Sequence, residues 1–295
     1  MNLKRLKKTK TFFKFNNKKS YKIFLLFLLI FSIYCALIIG KSWDEDAQLF
    51  IGKVTLDYLF SLGKIDNVYL YREYYSPIYW SLNYLLTQIF PSKYQIEASH
   101  LINLIFSLSA IIGIGKLSKE LFNQKVGKIV FLILFFYPIF FGHMSFNGKD
   151  TILTFCHVWI FYLVIKYLKN QNIKDKANKY IIYIGMLTAL GSSIYLIFVG
   201  TLIPIFLFVL IEIFFSKKFI SNNFDKKKLY IDIGKIFLIF YFLLILFWID
   251  AHPNIFILPF NLFLEYFSYV SGEQWRGWPY NLLNGQYYLS WQVPK

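Results

Sequence analysis

Three carboxylates in a row, Asp44-Glu45-Asp46, follow directly on an apolar stretch that ends at Gly40. Held at a membrane surface, such a cluster suits a general base that takes the proton from an acceptor hydroxyl, although acidic residues beside a span are often simply solvated. A second group is the run His143-Met144-Ser145-Phe146-Asn147-Gly148-Lys149-Asp150, which offers a phosphate-binding cation in Lys149 and a further carboxylate in Asp150. The same residues also read structurally, with Asn147-Gly148 making a turn and Asp150 capping the next helix. Glu97 and His100 stand one helical turn apart, a spacing for orienting a side chain or holding a metal weakly. Two ligands fall short of a metal site, so a structural hydrogen-bonded pair is the stronger reading. Arg72, between Tyr71 and Glu73, has the planar fork that grips phosphate, and the tyrosines around it could stack on a sugar. The run from Trp275 to Tyr288 has the aromatic and polar make-up of a sugar or headgroup platform. No phosphate-binding loop, dinucleotide fingerprint or HExxH zinc motif occurs, which argues against ATP coupling within this chain.

The elements that must position these residues are apolar stretches of membrane-spanning character, about seven of them, in an all-α membrane protein. A span takes about 20 apolar residues. The expected spans are Ile23–Gly40, Ala98–Gly115, Ile129–Phe141 and Thr151–Ile165, then two within Tyr180–Phe215 turning near Gly191–Gly200, and finally Ile236–Ile249. The long segment 41–97 carries Ala47, Phe50, Ile51, Val54, Tyr58 and Leu59 at helical spacing, and Ser76–Phe90 is a second aromatic amphipathic stretch. Both are expected to be helices lying on the membrane surface. A short eighth span over Pro77–Phe90 is the alternative, and it would invert everything downstream.

Composition agrees with a membrane protein. Only 16% of residues are charged and 57% are hydrophobic, against roughly 25% charged in a soluble domain. The net charge of +16 comes from lysines grouped between apolar runs, at Lys4 to Lys19, Lys116 to Lys128, Lys166 to Lys179 and Lys217 to Lys235. That is the signature of cytoplasmic loops and not of a nucleic-acid-binding face. It places the basic N-terminus (1–22) in the cytoplasm, a polytopic domain over 23–250, and segments 41–97, 142–150 and 251–295 on the periplasmic or external side. Cys35 and Cys156 both lie in apolar runs without metal or redox spacing.

Taken in order, these features resemble the glycosyltransferase C superfamily. Within it they resemble the bacterial relatives of the protein O-mannosyltransferases and of the aminoarabinose lipid A transferase. The resemblance rests on Asp44-Glu45 heading the first outer loop, on Tyr75-Ser76-Pro77-Ile78-Tyr79-Trp80, and on Glu97-Ala98-Ser99-His100-Leu101-Ile102-Asn103. It continues in Lys119-Glu120-Leu121-Phe122, and its most specific stretch is Pro138 to Asp150, which is similar to a Pro…Phe-Gly-His…Asn-x-Lys-Asp pattern. It covers residues 40–200 well and the rest in outline.

The resemblance implies a bacterial inner-membrane enzyme with its active face outside, moving a monosaccharide with inversion from a polyprenyl-phosphate donor to a protein, lipid or glycan acceptor. Asp44 or Glu45, with Asp44 favoured, would be the base, and Asp150 would assist. Lys149, Arg72 or His143 would neutralise the departing phosphate, with Glu97, His100 and Asn147 in support and a divalent metal as an optional cofactor. Relatives continue past the segment matching Trp291-Gln292-Val293-Pro294, so a shortened C-terminus is expected. A lipid or solute transporter and a non-catalytic subunit of a glycan-assembly complex are the alternatives. Acidic residues at the ends of spans, instead of at their middles, favour chemistry at the surface over transport.

Overall fold

A computed structural model describes residues 18–42, 44–65, 76–261 and 264, and every regular element among them is helical. In chain order these are α1 (Lys18–Ile38), α2 (Glu45–Phe60), α3 (Ile78–Thr87), α4 (Gln95–Leu121), α5 (Gln124–Phe135) and α6 (Pro138–His143). They continue with α7 (Gly148–Asn170), α8 (Lys174–Ser192), α9 (Phe198–Thr201), α10 (Ile203–Ile211) and α11 (Lys226–Phe247). Short 3-10 turns cover Ser92–Tyr94 and Ile249–Asn254, and a π turn covers Glu212–Ser216.

Among the described residues four stretches are long and apolar enough to cross a membrane: Ser92–Leu121, Gly148–Asn170, Phe198–Ser216 and Lys226–Phe247. Lys22–Ile38 is a shorter apolar helix. The expected third span is interrupted. Pro138 has no amide hydrogen to continue the ladder and drives Tyr137 out of helical geometry (ψ 112°). This leaves α5 with 12 residues, about 18 Å at 1.5 Å per residue against a hydrocarbon core of about 30 Å. The first half of the expected hairpin is α8, 19 residues long but carrying Lys174, Asp175, Lys176 and Lys179 in its opening turns. The segment 41–97 holds α2 and α3, which pack on each other. Their approach depends on Gly52, where a Cβ would fall 2.2 Å from the Trp80 carbonyl oxygen. At ten residues α3 reaches about 15 Å, half a bilayer core.

Helices outrun the expected loops. Instead of free loops at 116–128 and 166–179, α4 extends to Leu121 and α7 to Asn170. Lys166 and Lys169 on α7 both reach Glu120 on α4, the second at 2.7 Å. In this way lysines on helix ends tie the bundle together with their flexible stems. At the centre α7 packs between α4 and α8, with α5 and α1 against α4 and α11 against α8. Small residues let the backbones close: a Cβ on Gly127 of α5 would lie 2.5 Å from the Gly115 carbonyl oxygen of α4. Large side chains on the outward faces of α1 and α11, such as Phe27, Ile30, Leu238 and Phe242, stay exposed, as lipid contact requires.

One polar stripe runs along α4 within this apolar bundle. Ser99, His100, Asn103 and Ser107 are all buried and recur at helical spacing. Asn83 of α3 donates to Ser99 Oγ (2.9 Å), the Tyr79 hydroxyl of α3 donates to Asn103 Oδ1, and Ser107 Oγ donates to the Met144 carbonyl (2.8 Å). These bonds fix α3 and the α6–α7 turn against one face of α4, which is how residues distant in sequence reach one site.

Candidate active site

The chain leaves α1 and re-enters helix at α2 through Ser42 and Asp44, which stands at the N-cap position of α2 without a side-chain bond to its amides. The neighbours Asp44, Glu45 and Asp46 meet three different fates. Glu45 turns inward and is 2% exposed. Its Oε1 shares a hydrogen bond with His100 Nε2 (2.7 Å), and its Oε2 accepts from the Ser42 amide (2.6 Å). The other ring nitrogen of His100 meets the Ala36 carbonyl of α1 at 3.1 Å. Both ring nitrogens thus face acceptors, so the pair is satisfied only with a proton held between Nε2 and Oε1. Asp46 points outward to Lys41 at 2.5 Å, on a well-exposed surface where an ion pair contributes little.

Asp44 faces a polar pocket. Its Oδ1 accepts from Ser42 Oγ (3.1 Å), and its Oδ2 accepts from Gln48 Nε2 (2.5 Å) and lies 3.4 Å from the Lys149 ammonium. Both side chains are only partly covered, Asp44 at 37% exposed and Lys149 at 40%. Between them opens a cavity of about 240 Å³ lined by Ser42, Asp44, Gln48, Asn147 to Asp150 and Tyr195. The floor is the N-terminus of α7, whose aligned peptide dipoles favour a negative charge.

That terminus is capped by Asn147 and not, as its sequence suggests, by Asp150. Asn147 Oδ1 accepts the Asp150 amide (3.1 Å), and Asn147 Nδ2 donates back to the Asp150 carboxylate (2.9 Å) and lies 3.1 Å from His143 Nδ1. Gly148 sits under Tyr79, where a Cβ would meet the ring at 3.0 Å and Asn103 Oδ1 at 3.1 Å. Burial raises the pKa of the Tyr79 phenol, so it stays a donor to Asn103.

The structure therefore brings Asp44, Asn147, Lys149 and Asp150 to one pocket, with His143 touching it through Asn147. Glu45 and His100 stand behind it, buried. The expected Glu97–His100 pair is not formed, because both His100 nitrogens are taken by Ala36 and Glu45, and Glu97 Oε2 is buried without a hydrogen-bond partner. Arg72 and the aromatic run from Trp275 lie outside the described residues. Among the described residues no three His, Cys, Asp or Glu side chains gather as metal ligands. Three lining residues, Ser42, Gln48 and Tyr195, escaped the sequence reading. Gln48 carried a signal, since Asp44 and Gln48 are four apart and meet on a helix face. Tyr195 carried none, because it arrives from the turn after α8.

A family model described as dolichyl-phosphate-mannose-protein mannosyltransferase matches residues 76–248. No curated protein and no solved structure matches the chain. Asn147, Lys149 and Asp150 fall inside the matched segment, whereas Asp44 lies upstream of it. With more than half of its length matched, the chain belongs to the dolichyl-phosphate-mannose-protein mannosyltransferase family and is a multi-pass membrane glycosyltransferase of the C type.

Proposed function

We propose that the pocket at the start of α7 transfers a monosaccharide from a polyprenyl-phosphate carrier to an acceptor hydroxyl on the external face of a bacterial inner membrane. The supporting observation is the opposition of Asp44 and Lys149, 3.4 Å apart, across a polar cavity built on a helix N-terminus. A transfer of this kind needs a base for the acceptor and a cation for the leaving phosphate, and those two groups face each other here.

In this reading the acceptor hydroxyl loses its proton to Asp44 Oδ2 as its oxygen attacks the anomeric carbon. The bond from that carbon to the phosphate oxygen breaks, and its electron pair leaves with the polyprenyl phosphate. One displacement inverts the anomeric centre. Lys149 and the α7 N-terminus meet the developing phosphate charge in a preorganised way. Ser42 and Gln48 hold the Asp44 carboxylate in place. An arriving anionic donor competes with Asp44 for Lys149, so binding the donor also uncovers the base. Asp150, fixed by Asn147, orients the acceptor or the sugar, and Arg72 and His143 remain further phosphate partners. Gln48 of α2 lines the site, and α3 supports it from beneath through Tyr79 and Trp80 at Gly148. The expected topology, with the N-terminus in the cytoplasm, would put this pocket outside.

The test is transfer of labelled sugar from a polyprenyl-phosphate monosaccharide panel by the 295-residue chain in lipid, with membrane extract as acceptor. Asp44→Asn and Lys149→Met should each lower the rate by about 10²-fold or more. Full transfer by Asp44→Asn would remove Asp44 as the base. No transfer by the folded wild-type chain would favour the non-catalytic subunit.

A further inference from the structure

A second cavity lies at the other end of α7. Gly148 to Asp150 line the polar pocket, whereas Ile160 to Leu168 of the same helix line a cleft of about 610 Å³ against α8, α10 and α11. At 1.5 Å per residue the two lie about 15–30 Å apart along the helix axis. The helix α10 meets α7, α8 and α11 through side chains such as Ile205, Phe208 and Val209, and the cleft lies among these four helices. Its walls are almost wholly apolar, as at Val164, Ile184, Phe206, Ile233 and Phe237. Charged groups are confined to one end, where Lys226 and Asp232 line it beside Tyr230 and Tyr167, and the hydroxyl of Thr188 further along is already bonded to the Ile184 carbonyl (2.8 Å).

The charges at that end sort themselves. Asp232 is 1% exposed and already held by the Tyr167 hydroxyl (2.8 Å) and by Lys235 (2.9 Å). Lys228 donates to the Gln171 carbonyl at 2.6 Å. Asp225 accepts the Lys227 amide as the cap of α11. Lys226 lies at the mouth, its ammonium 4.9 Å above the Phe214 ring, and both residues line the cleft. Around this end four lysines (226, 227, 228 and 235) outnumber Asp225, Asp232 and the buried Glu212, whose Oε2 accepts the Phe219 amide (2.9 Å), so the mouth is positive, and most of the wall below it is hydrocarbon.

We infer that this cleft binds an anionic phospholipid from the leaflet opposite the polar pocket, with an acyl chain between α10 and α11 and the phosphate at Lys226. The position argues against the sugar donor, whose phosphate belongs at the far end of α7. The positive mouth argues for an anionic over a zwitterionic head, since a lysine at a membrane surface attracts anionic lipid. The bound lipid fills space that α10 leaves open and ties α10 to the bundle. The choice of a phospholipid over the sugar donor rests on the transfer reading above, whereas the affinity for an anionic lipid rests on the cleft and its lysines alone.

The experiment is native mass spectrometry of the full chain, released from detergent with phosphatidylglycerol or phosphatidylethanolamine of identical acyl chains. Phosphatidylglycerol should be retained one to one, about fivefold more strongly, as expected for one lysine at the head. Lys226→Gln should remove the preference. Ile233→Trp, at a half-open position facing the cleft, should weaken both lipids, and Lys174→Gln, away from the cleft, should change neither. Folding of each variant is checked by the melting of buried Cys156. Equal retention of the two lipids, or a preference that survives Lys226→Gln, overturns the assignment. Displacement of phosphatidylglycerol by an added polyprenyl phosphate also overturns it, by giving the cleft to the donor's tail.

Discussion

Asp44 and Glu45 are neighbours of the same chemical type, and the structure gives them opposite jobs that a pair of substitutions can separate. Glu45→Ala removes both acceptors from a buried place. His100 Nε2, wholly enclosed, loses its 2.7 Å partner, and the partly buried Ser42 amide loses its 2.6 Å partner. An orphaned buried polar group costs about 1–3 kcal/mol, and Ser42 recovers part of its share from water, so the sum is about 2–5 kcal/mol. At roughly 2–4 °C per kcal/mol for a chain of this order, melting should fall by about 5–15 °C. Asp44→Asn, at a site 37% exposed, keeps an acceptor oxygen and should change stability by less than about 1 kcal/mol. If Asp44 is the base, that same change lowers transfer by about 10²–10⁴-fold. The melting assay can use Cys156 in a Cys35→Ser background, because Cys35 is only half-buried whereas Cys156 is fully buried and reacts with a thiol dye only on unfolding. Glu45→Ala melting with the wild type would refute the structural assignment of Glu45. A comparable loss of melting temperature in Asp44→Asn would refute the division of labour between the two.

Two further substitutions test how the site is held. Tyr79→Phe strips the donor from buried Asn103 Oδ1 and should cost about 1–3 kcal/mol in the same melt, because α3 loses its bond to α4. Gly127→Ala places a Cβ 2.5 Å from a backbone oxygen of α4, which no side-chain rotation relieves. It should destabilise by about 1–3 kcal/mol despite the better helix propensity of alanine.

The sequence by itself was enough for the helical membrane class. A chain so poor in charge and so rich in long apolar runs can satisfy its backbone in lipid only as helices or a closed barrel, and these runs have helical length. It also marked the local chemistry: a carboxylate at the head of the first outer segment, and a turn carrying Asn147, Lys149 and Asp150. Local steric rules could have told more, since Pro138 breaks α5 from α6 wherever it occurs. What the sequence could not carry were partners set by packing between helices. Periodicity puts Glu97 and His100 on one face, yet His100 bonds Glu45, 55 residues away, because the end of α1 and the start of α2 are pressed against that face of α4. Adjacent carboxylates look alike in a string of letters. Only the angle at which α2 leaves α1 turned Glu45 into the protein, Asp46 to solvent and Asp44 toward Lys149, and only the close approach of α3, α4 and α7 over Gly148 set those last two groups 3.4 Å apart.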